Sequence, residues 1–581
     1  MRKLIIPVLI IAFFIFLAVA PASAAVQTHN VSTTSQLYNV SKLTLTTSGL
    51  DLVINVNGNL TADITTPIEF RNCTAVINGN GNQLKLNPDG MPMGDNASLK
   101  INNSTVTFNR LNFNNTMSSR NESGSSECVI FMKNEPNVTF DSCIFNNNTL
   151  KNSNASGYSR GFIYFTHEVH ETGGYVLDDI LPVGEWNLTF RNCTISNHTG
   201  RFLEVNVDDS VDTIDDRHAK VSIIDSKFQY CLMSSVDRNG GPFVAVFADE
   251  LIIENITVSD CMFSVEDNGP SIRFLDVYMD NLGGRATITN CTLENNVFST
   301  GTYMMVLSQG ITLKNCYFGN ISVVDVLFQT YPNYYASWNL EDECFIIQNT
   351  FENISGVRIF KPRTGDITHT VYHYYFNTFV NSNFSNNPQW YNNSTQAEFL
   401  GNLYVGCSNA ADSGGVFTTY PLAFGTNVSK LNGGKTKTIE LRKADDNPAM
   451  EKISSSKYIE LLKTNPSNDK DANSAKRLQG KAVEAGSVES SHTFIDVIKD
   501  IIGGGGNNSI NNSTDNNSTS GNNIGNSRPS TVLYNFVFGD GSIVKRTSSL
   551  LYYIMNNWVK VNIVGISQLS QIGINLLRLT P

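Results

Sequence analysis

Val138-Thr139-Phe140-Asp141-Ser142-Cys143-Ile144-Phe145-Asn146-Asn147 returns three times in closely similar form. The copies are Leu188-Thr189-Phe190-Arg191-Asn192-Cys193-Thr194-Ile195-Ser196-Asn197, Ala286-Thr287-Ile288-Thr289-Asn290-Cys291-Thr292-Leu293-Glu294-Asn295 and Ile311-Thr312-Leu313-Lys314-Asn315-Cys316-Tyr317-Phe318-Gly319-Asn320. Fainter copies occupy residues 68–77, 106–115, 221–230, 256–265 and 345–354. The shared pattern is apolar-x-apolar-x-Asn/Asp/Ser-Cys-x-apolar-x-Asn. Its period-two portions predict strands with one buried face, and the Asn-rich step predicts a bend.

Aligned on the cysteine, the copies centre on Cys73, Leu111, Cys143, Cys193, Ser226, Cys261, Cys291, Cys316 and roughly Thr350. Their spacing runs from 25 residues, between Cys291 and Cys316, to 50, between Cys143 and Cys193. Propeller blades need near-constant size, whereas a solenoid takes insertions into its loops and keeps its stacked strands in register. An all-β parallel β-helix with loop insertions is therefore expected. Small thiols suit a stack inside the coil. Cys73, Cys143, Cys193, Cys261, Cys291 and Cys316 are expected to form that structural ladder, with Leu111 and Ser226 as steric substitutes. Disulfide pairing is the alternative in an exported chain, and the absence of any Cys-x-x-Cys unit argues against a metal.

Export itself is read from the N-terminus. Arg2 and Lys3 precede an apolar stretch over residues 4–20, and Ala22-Ser23-Ala24 supplies the small side chains of a cleavage site. Residues 1–24 are thus expected to be a secretory signal, an uncleaved anchor being the alternative, and the mature chain is expected to be extracellular, at the cell surface or secreted. Towards the C-terminus, apolar stretches at 532–538 and 550–561 are interrupted by Asn535, Asn556, Asn557 and Lys560. No C-terminal membrane span is expected, since none reaches roughly 18 to 20 apolar residues. The 41 Lys and Arg against 52 Asp and Glu leave a net charge of -11, which argues against a nucleic-acid partner. Asn-x-Ser/Thr sequons recur, as at Asn72, Asn137, Asn192, Asn290 and Asn320; in an exported chain some are expected to carry glycans, while a composition so rich in Asn, Ser and Thr also produces sequons by chance and those at strand ends are read as structural first.

Texture divides the rest. Residues 25–66 are read as an N-terminal cap, 67–428 as the β-helix, and 429–502 as a charged segment with a short amphipathic helix at 450–463. Residues 503–530 form a Gly/Asn/Ser/Thr linker with little reason to fold. Residues 531–581 form a short strand-rich segment.

Candidate sites are sparse. Asp208, Asp209, Asp212, Asp215 and Asp216 repel one another and belong on a solvated loop, where a hard cation such as calcium could bridge them. The spacing is not that of an EF-hand, and no other cofactor is expected. His167 and His170 with Glu168 and Glu171 resemble a zinc set only superficially, because an i, i+3 pair in a strand faces opposite ways. Asp215-Asp216-Arg217-His218 is the nearest approach to a catalytic cluster, but its charge again predicts a loop. Asp225, Asp237, Arg238, Asp260, Glu266 and Asp267 are further carboxylate-region candidates, of which Asp225 and Asp260 fall on the corner position and are expected to be structural. Gly157-Tyr158-Ser159-Arg160-Gly161 matches a nucleophile elbow in letters, yet a strand-like stretch follows where a helix is required. Tyr331, Tyr334, Tyr335 and Trp338 are candidate contacts to sugar rings.

With these residues in hand, the signal, the Asn-Cys repeats and the Asn/Thr-rich texture resemble the adhesin-like surface proteins of methanogenic archaea. The resemblance covers about residues 68–407. It implies a right-handed parallel β-helix of the pectate-lyase type, surface display, and contact with cell-surface glycans or envelope components, with no catalytic residue carried over. The repeats also resemble polymorphic outer-membrane proteins of bacteria. Polysaccharide lyases and hydrolases share this fold, so a carbohydrate-active enzyme is the alternative. The chain departs from the family plan in its charged segment at 435–499 and in showing no wall-binding repeat.

Overall fold

The computed structural model describes residues 25–418 apart from loop segments 63–65, 88–96, 119–127, 135, 151–160, 167–184, 207–217, 235–240, 265–271, 280–284, 299–302, 308–309, 324–325, 331–341, 357, 363–369, 385–395 and 409–414. Beyond them it describes residues 424–431, 436–441, 453–454, 458, 482–483, 533–537 and 543–547.

Each coil passes through three parallel sheets in turn. In the coil carrying Cys143, Ile130–Lys133 joins a ten-stranded sheet, Asn137–Asp141 a thirteen-stranded sheet and Ile144–Asn146 a fifteen-stranded sheet. We name these sheets III, I and II. Every strand pairs in parallel with its equivalent one coil on, so that Val138 lies beside Leu188 and Leu188 beside Val221. The chain is an all-β parallel β-helix, and the alternation of the repeat explains why. One parity faces inward: Val106, Val138, Leu188 and Val221 in one row, Phe108, Phe140 and Phe190 in the next, all fully buried. Phe108 stacks on Phe140 at 5.0 Å between centroids, and Phe140 on Phe190 at 5.1 Å. Burying one such side chain stabilises the fold by about 1.5–3 kcal/mol, and ring stacking adds about 0.5–1.5 kcal/mol.

The bends are left-handed residues. Between sheets I and II stand Arg110, Ser142, Asn192, Asp225, Asn255, Asn290, Asn315, Gln348 and Phe376, all with φ between 50° and 59°. A second bend, after sheet II, uses Asn115, Asn147, Asn197, Tyr230, Asp260, Asn295, Asn320, Asn353 and Asn381. Asn predominates because its short amide tolerates this region and bonds locally. The amides link coil to coil: Asn147 Nδ2 donates to Asn115 Oδ1 at 2.8 Å and Asn320 Nδ2 to Asn295 Oδ1 at 3.0 Å. Asp225 and Asp260 are corner residues of this kind, and Asp225 accepts from Asn255 Nδ2 at 3.2 Å.

At the N-terminal end, Gln27–Val31 and Leu50–Val56 already belong to sheet I, so the solenoid begins inside the segment read as a cap. Between them α1 (Thr34–Thr46) opens with a Thr33/Gln36 capping box. It docks on the edge strand Ile68–Arg71 of sheet III, where Thr44 Oγ1 donates to the Glu69 carbonyl at 3.2 Å and accepts from the Arg71 N–H at 3.1 Å. That contact covers an edge that would otherwise offer unpaired backbone groups.

Past the coils, Phe424–Leu431 and Thr436–Leu441 form an antiparallel pair. Tyr458, within the segment expected to hold a short helix, is buried with Ile347, Tyr375, Phe376 and Leu400. Residues 506–581 form a separate unit, in which Leu533–Val537 and Ile543–Thr547 pair antiparallel. No helix among the described residues is long and apolar enough to cross a membrane.

Candidate functional site

The six cysteines expected to form one ladder divide between three corners instead. Leu111, Cys143, Cys193, Ser226, Cys291 and Cys316 do follow the bend between sheets I and II, where Ile256 holds the place expected for Cys261. Cys261 follows the second bend, stacked with His198 and Cys231. Cys73 lies at the turn from sheet III into sheet I, its thiol 3.7 Å from Ser104 Oγ. Physically, both bends place a small inward side chain after a left-handed residue, so the same letters serve two corners. No disulfide joins any of the ten cysteines, nine of which are buried.

Size is only half of what these inward positions require. The bend interrupts the strand ladder, and the inward side chain of the next coil accepts the stranded N–H: Cys193 N donates to Ser226 Oγ at 3.1 Å, Cys261 N to Asn296 Oδ1 at 3.0 Å and Cys316 N to Asn349 Oδ1 at 2.9 Å. The thiols bond in turn to nearby carbonyls, Cys193 to Phe140 O at 3.3 Å and Cys291 to Thr289 O at 3.1 Å.

On the outward parity of sheet I, Thr107, Thr139 and Thr189 follow one another in register and half-buried; the row then passes through buried Ser222 and through Ile252 before Thr287 and Thr312. The rungs are about 4.8 Å apart. Continuing in register, the row ends in Phe345, His373 and Glu398. His373 stacks on Phe345 at 4.6 Å between centroids. Its Nδ1 lies 3.0 Å from Glu398 Oε2 and 2.9 Å from Tyr375 Oη, and its Nε2 lies 3.6 Å from Glu343 Oε1. Tyr375 Oη donates a short bond to Glu398 Oε2. That bond, and after it His373, holds the Glu398 carboxyl below the usual range against the opposing effect of burial. Burial and then Glu398 push the Tyr375 hydroxyl up. The group is an imidazole set between two carboxylates at the end of a hydroxyl track, equipped to hold a polar ligand or move a proton. Period-two reading of a single stretch of sequence misses this group, because its members come from three coils.

Two other outward groups are tied up in pairs. On sheet III, Arg201 Nη1 meets Glu204 Oε2 at 2.5 Å and Arg273 Nη1 meets Asp276 Oδ2 at 3.4 Å. On sheet II, Tyr317 lies over Gly319, where a Cβ would come within 2.5 Å of the ring, and donates to Glu352 Oε2 at 2.6 Å.

The acidic candidates Asp208, Asp209, Asp212, Asp215 and Asp216 and the aromatic candidates Tyr331, Tyr334, Tyr335 and Trp338 lie outside the described residues, as do His167, His170, Asp237, Glu266 and Ser159. Among the described residues, no three His, Cys, Asp or Glu side chains are arranged to hold a metal ion. The sequon asparagines Asn192, Asn290 and Asn320 are left-handed corner residues. No family model and no curated protein matches the chain.

Proposed function

We propose that this is an exported, adhesin-like surface protein whose β-helix binds an extended glycan or other envelope polymer without chemically altering it. The observation that supports this reading is the hydroxyl row of sheet I. A polymer laid along Thr107, Thr139 and Thr189 meets the same short polar side chain at each rung, and many weak contacts sum to useful avidity. Glu343 and Glu398, exposed beside His373 at the end of the row, provide acceptors for sugar hydroxyls. The acidic charge keeps such a surface off nucleic acid. Calcium at Asp208, Asp209, Asp212, Asp215 and Asp216 is a companion proposal, for which those carboxylates are the donors.

A second reading is a polysaccharide lyase or hydrolase, favoured by His373 between Glu343 and Glu398. One screen separates the two. The full chain is assayed against a panel of polysaccharides, with calcium and with a chelator, for both saturable binding and release of shortened products. Binding without product is expected; product that disappears in Glu398→Gln would replace the adhesin with the enzyme. No binding to any polymer would remove both.

A further inference from the structure

Six of the ten cysteines stand in neighbouring pairs across adjacent coils. Cys143 and Cys193 precede register partners Ile144 and Thr194, and Thr194 N donates to Cys143 O at 3.0 Å. Cys231 and Cys261 precede Leu232 and Met262, with Met262 N on Cys231 O at 2.9 Å and Cys231 N on Cys261 Sγ at 3.4 Å. Cys291 and Cys316 precede Thr292 and Tyr317, with Tyr317 N on Cys291 O at 2.8 Å. Adjacent parallel rungs are about 4.8 Å apart, inside the roughly 4.4–6.8 Å Cα window of a disulfide. Both thiols of each pair turn into the same enclosed interior, and Cys73, whose neighbour is Ser104, shows that an inward cysteine can do without such a partner.

We propose that Cys143 with Cys193, Cys231 with Cys261, and Cys291 with Cys316 are three disulfide sites that bolt successive coils together when the chain folds in an oxidising compartment. The chemistry is thiol–disulfide exchange with an external disulfide, either of small molecules or of an oxidoreductase. One cysteine thiolate attacks it and expels a thiolate, and its partner then displaces the second. One protein S–S bond forms, one external S–S bond breaks, and the two cysteine protons end on the two departing thiols. Burial pushes the thiols of Cys143, Cys231 and Cys316 up, so exchange is slow once the coils have stacked. Closure therefore belongs to folding, and a chain folded in reductant keeps its thiols. Each bond would restrict the unfolded chain by closing a loop, the longest between Cys143 and Cys193.

The test refolds the full chain from denaturant in a mixture of oxidised and reduced glutathione and, in parallel, in excess reductant. Both samples are denatured, alkylated and mapped by peptide mass. Six thiols are expected to escape alkylation in the oxidised sample, in three linked peptide pairs, and none in the reduced one; the oxidised chain melts at the higher temperature. Ten alkylated thiols in an oxidised chain with native β-sheet content would overturn the proposal, as would links between other cysteines or failure to regain β-sheet. Cys291→Ser supplies the control, because Ser226 already serves in the same ladder. It is expected to lose the third link alone, and loss of the other two would count against the assignment. None of these outcomes depends on polymer binding, so the two proposals stand or fall separately.

Discussion

Asn377 Oδ1 accepts two hydrogen bonds from Asn349, one from its backbone N–H at 3.0 Å and one from its side-chain amide at 3.1 Å. Asn402 does the same for Asn377, at 2.9 and 3.1 Å. Asn349, Asn377 and Asn402 thus continue the ladder that Cys291 and Cys316 occupy earlier, and all three are fully buried. Asn377→Leu strands the Asn349 N–H in the interior. It is expected to cost about 1–3 kcal/mol for each unsatisfied group, read as a lower urea midpoint. Asn377→Ser keeps an acceptor, as Ser226 does for Cys193, and should cost less; equal losses would show that the amide's bonds are not what stabilises this corner.

His198 makes the fold sensitive to acid. It is fully buried at the second bend, with the rings of Phe162, Phe202 and Phe243 at 5.5 to 5.6 Å. Burial lowers its pKa from 6.5 to about 4, against a smaller opposing effect from the Arg201 backbone. The unfolded chain therefore takes up a proton below pH 6.5 that the folded chain refuses. The contribution is intact above that pH and is lost progressively as pH falls towards 4, amounting to about 3 kcal/mol. Unfolding midpoints across this range should fall with pH more steeply in the native chain than in His198→Asn, which places at this corner the residue found there at Asn148 and Asn296.

How much of this was legible follows from the same corners. Strand positions, inward parity and stacking were readable from Val138, Phe140 and their copies, because side-chain alternation is local. The assignment of each cysteine to a corner was not, because Asp260-Cys261 and Asn290-Cys291 present the same left-handed step followed by a small inward group. Only the register separates them. Thr350 was misaligned for a related reason: the bend residue there is Gln348 and its inward neighbour Asn349, which match Asn-Cys at neither position. The Glu343, His373, Tyr375 and Glu398 group was invisible because coil length, not sequence proximity, brings its members together.

Tyr230 holds φ at 55° on an exposed corner where most coils use Asn. A left-handed L-residue costs roughly 1–2 kcal/mol, and Asn recovers part of that by local bonding. Tyr230→Asn is expected to raise stability by about 0.5–1 kcal/mol. Tyr230→Val, β-branched at positive φ, should lower it. A matched pair of thermal melts reads both, and a stabilising valine would show that backbone strain is not at work there.

The last expectation bears on function. Thr139 and Thr189 are neighbours on the outward parity of sheet I, both half-buried, with Thr107 beside Thr139 and Ser222 beside Thr189. Glutamate at both places removes two hydroxyls from the track and sets like charges about 4.8 Å apart, which repel each other and an acidic polymer. Replacement of half-buried residues on the outer face of a strand leaves the core packing untouched and shifts stability by about 0.5 kcal/mol, with the cross-strand repulsion adding a similar amount. The double variant is therefore expected to fold and to lose polymer affinity at least about tenfold, or about 1.4 kcal/mol. Glu398→Gln, at the far end of the row, leaves the track intact and should lose affinity only for ligands that reach Glu343 and Glu398. If instead Glu398→Gln abolishes every interaction while the double threonine variant binds normally, recognition is centred on the imidazole and its carboxylates. The hydroxyl row would then be a structural face, shaped by the β-propensity of threonine alone.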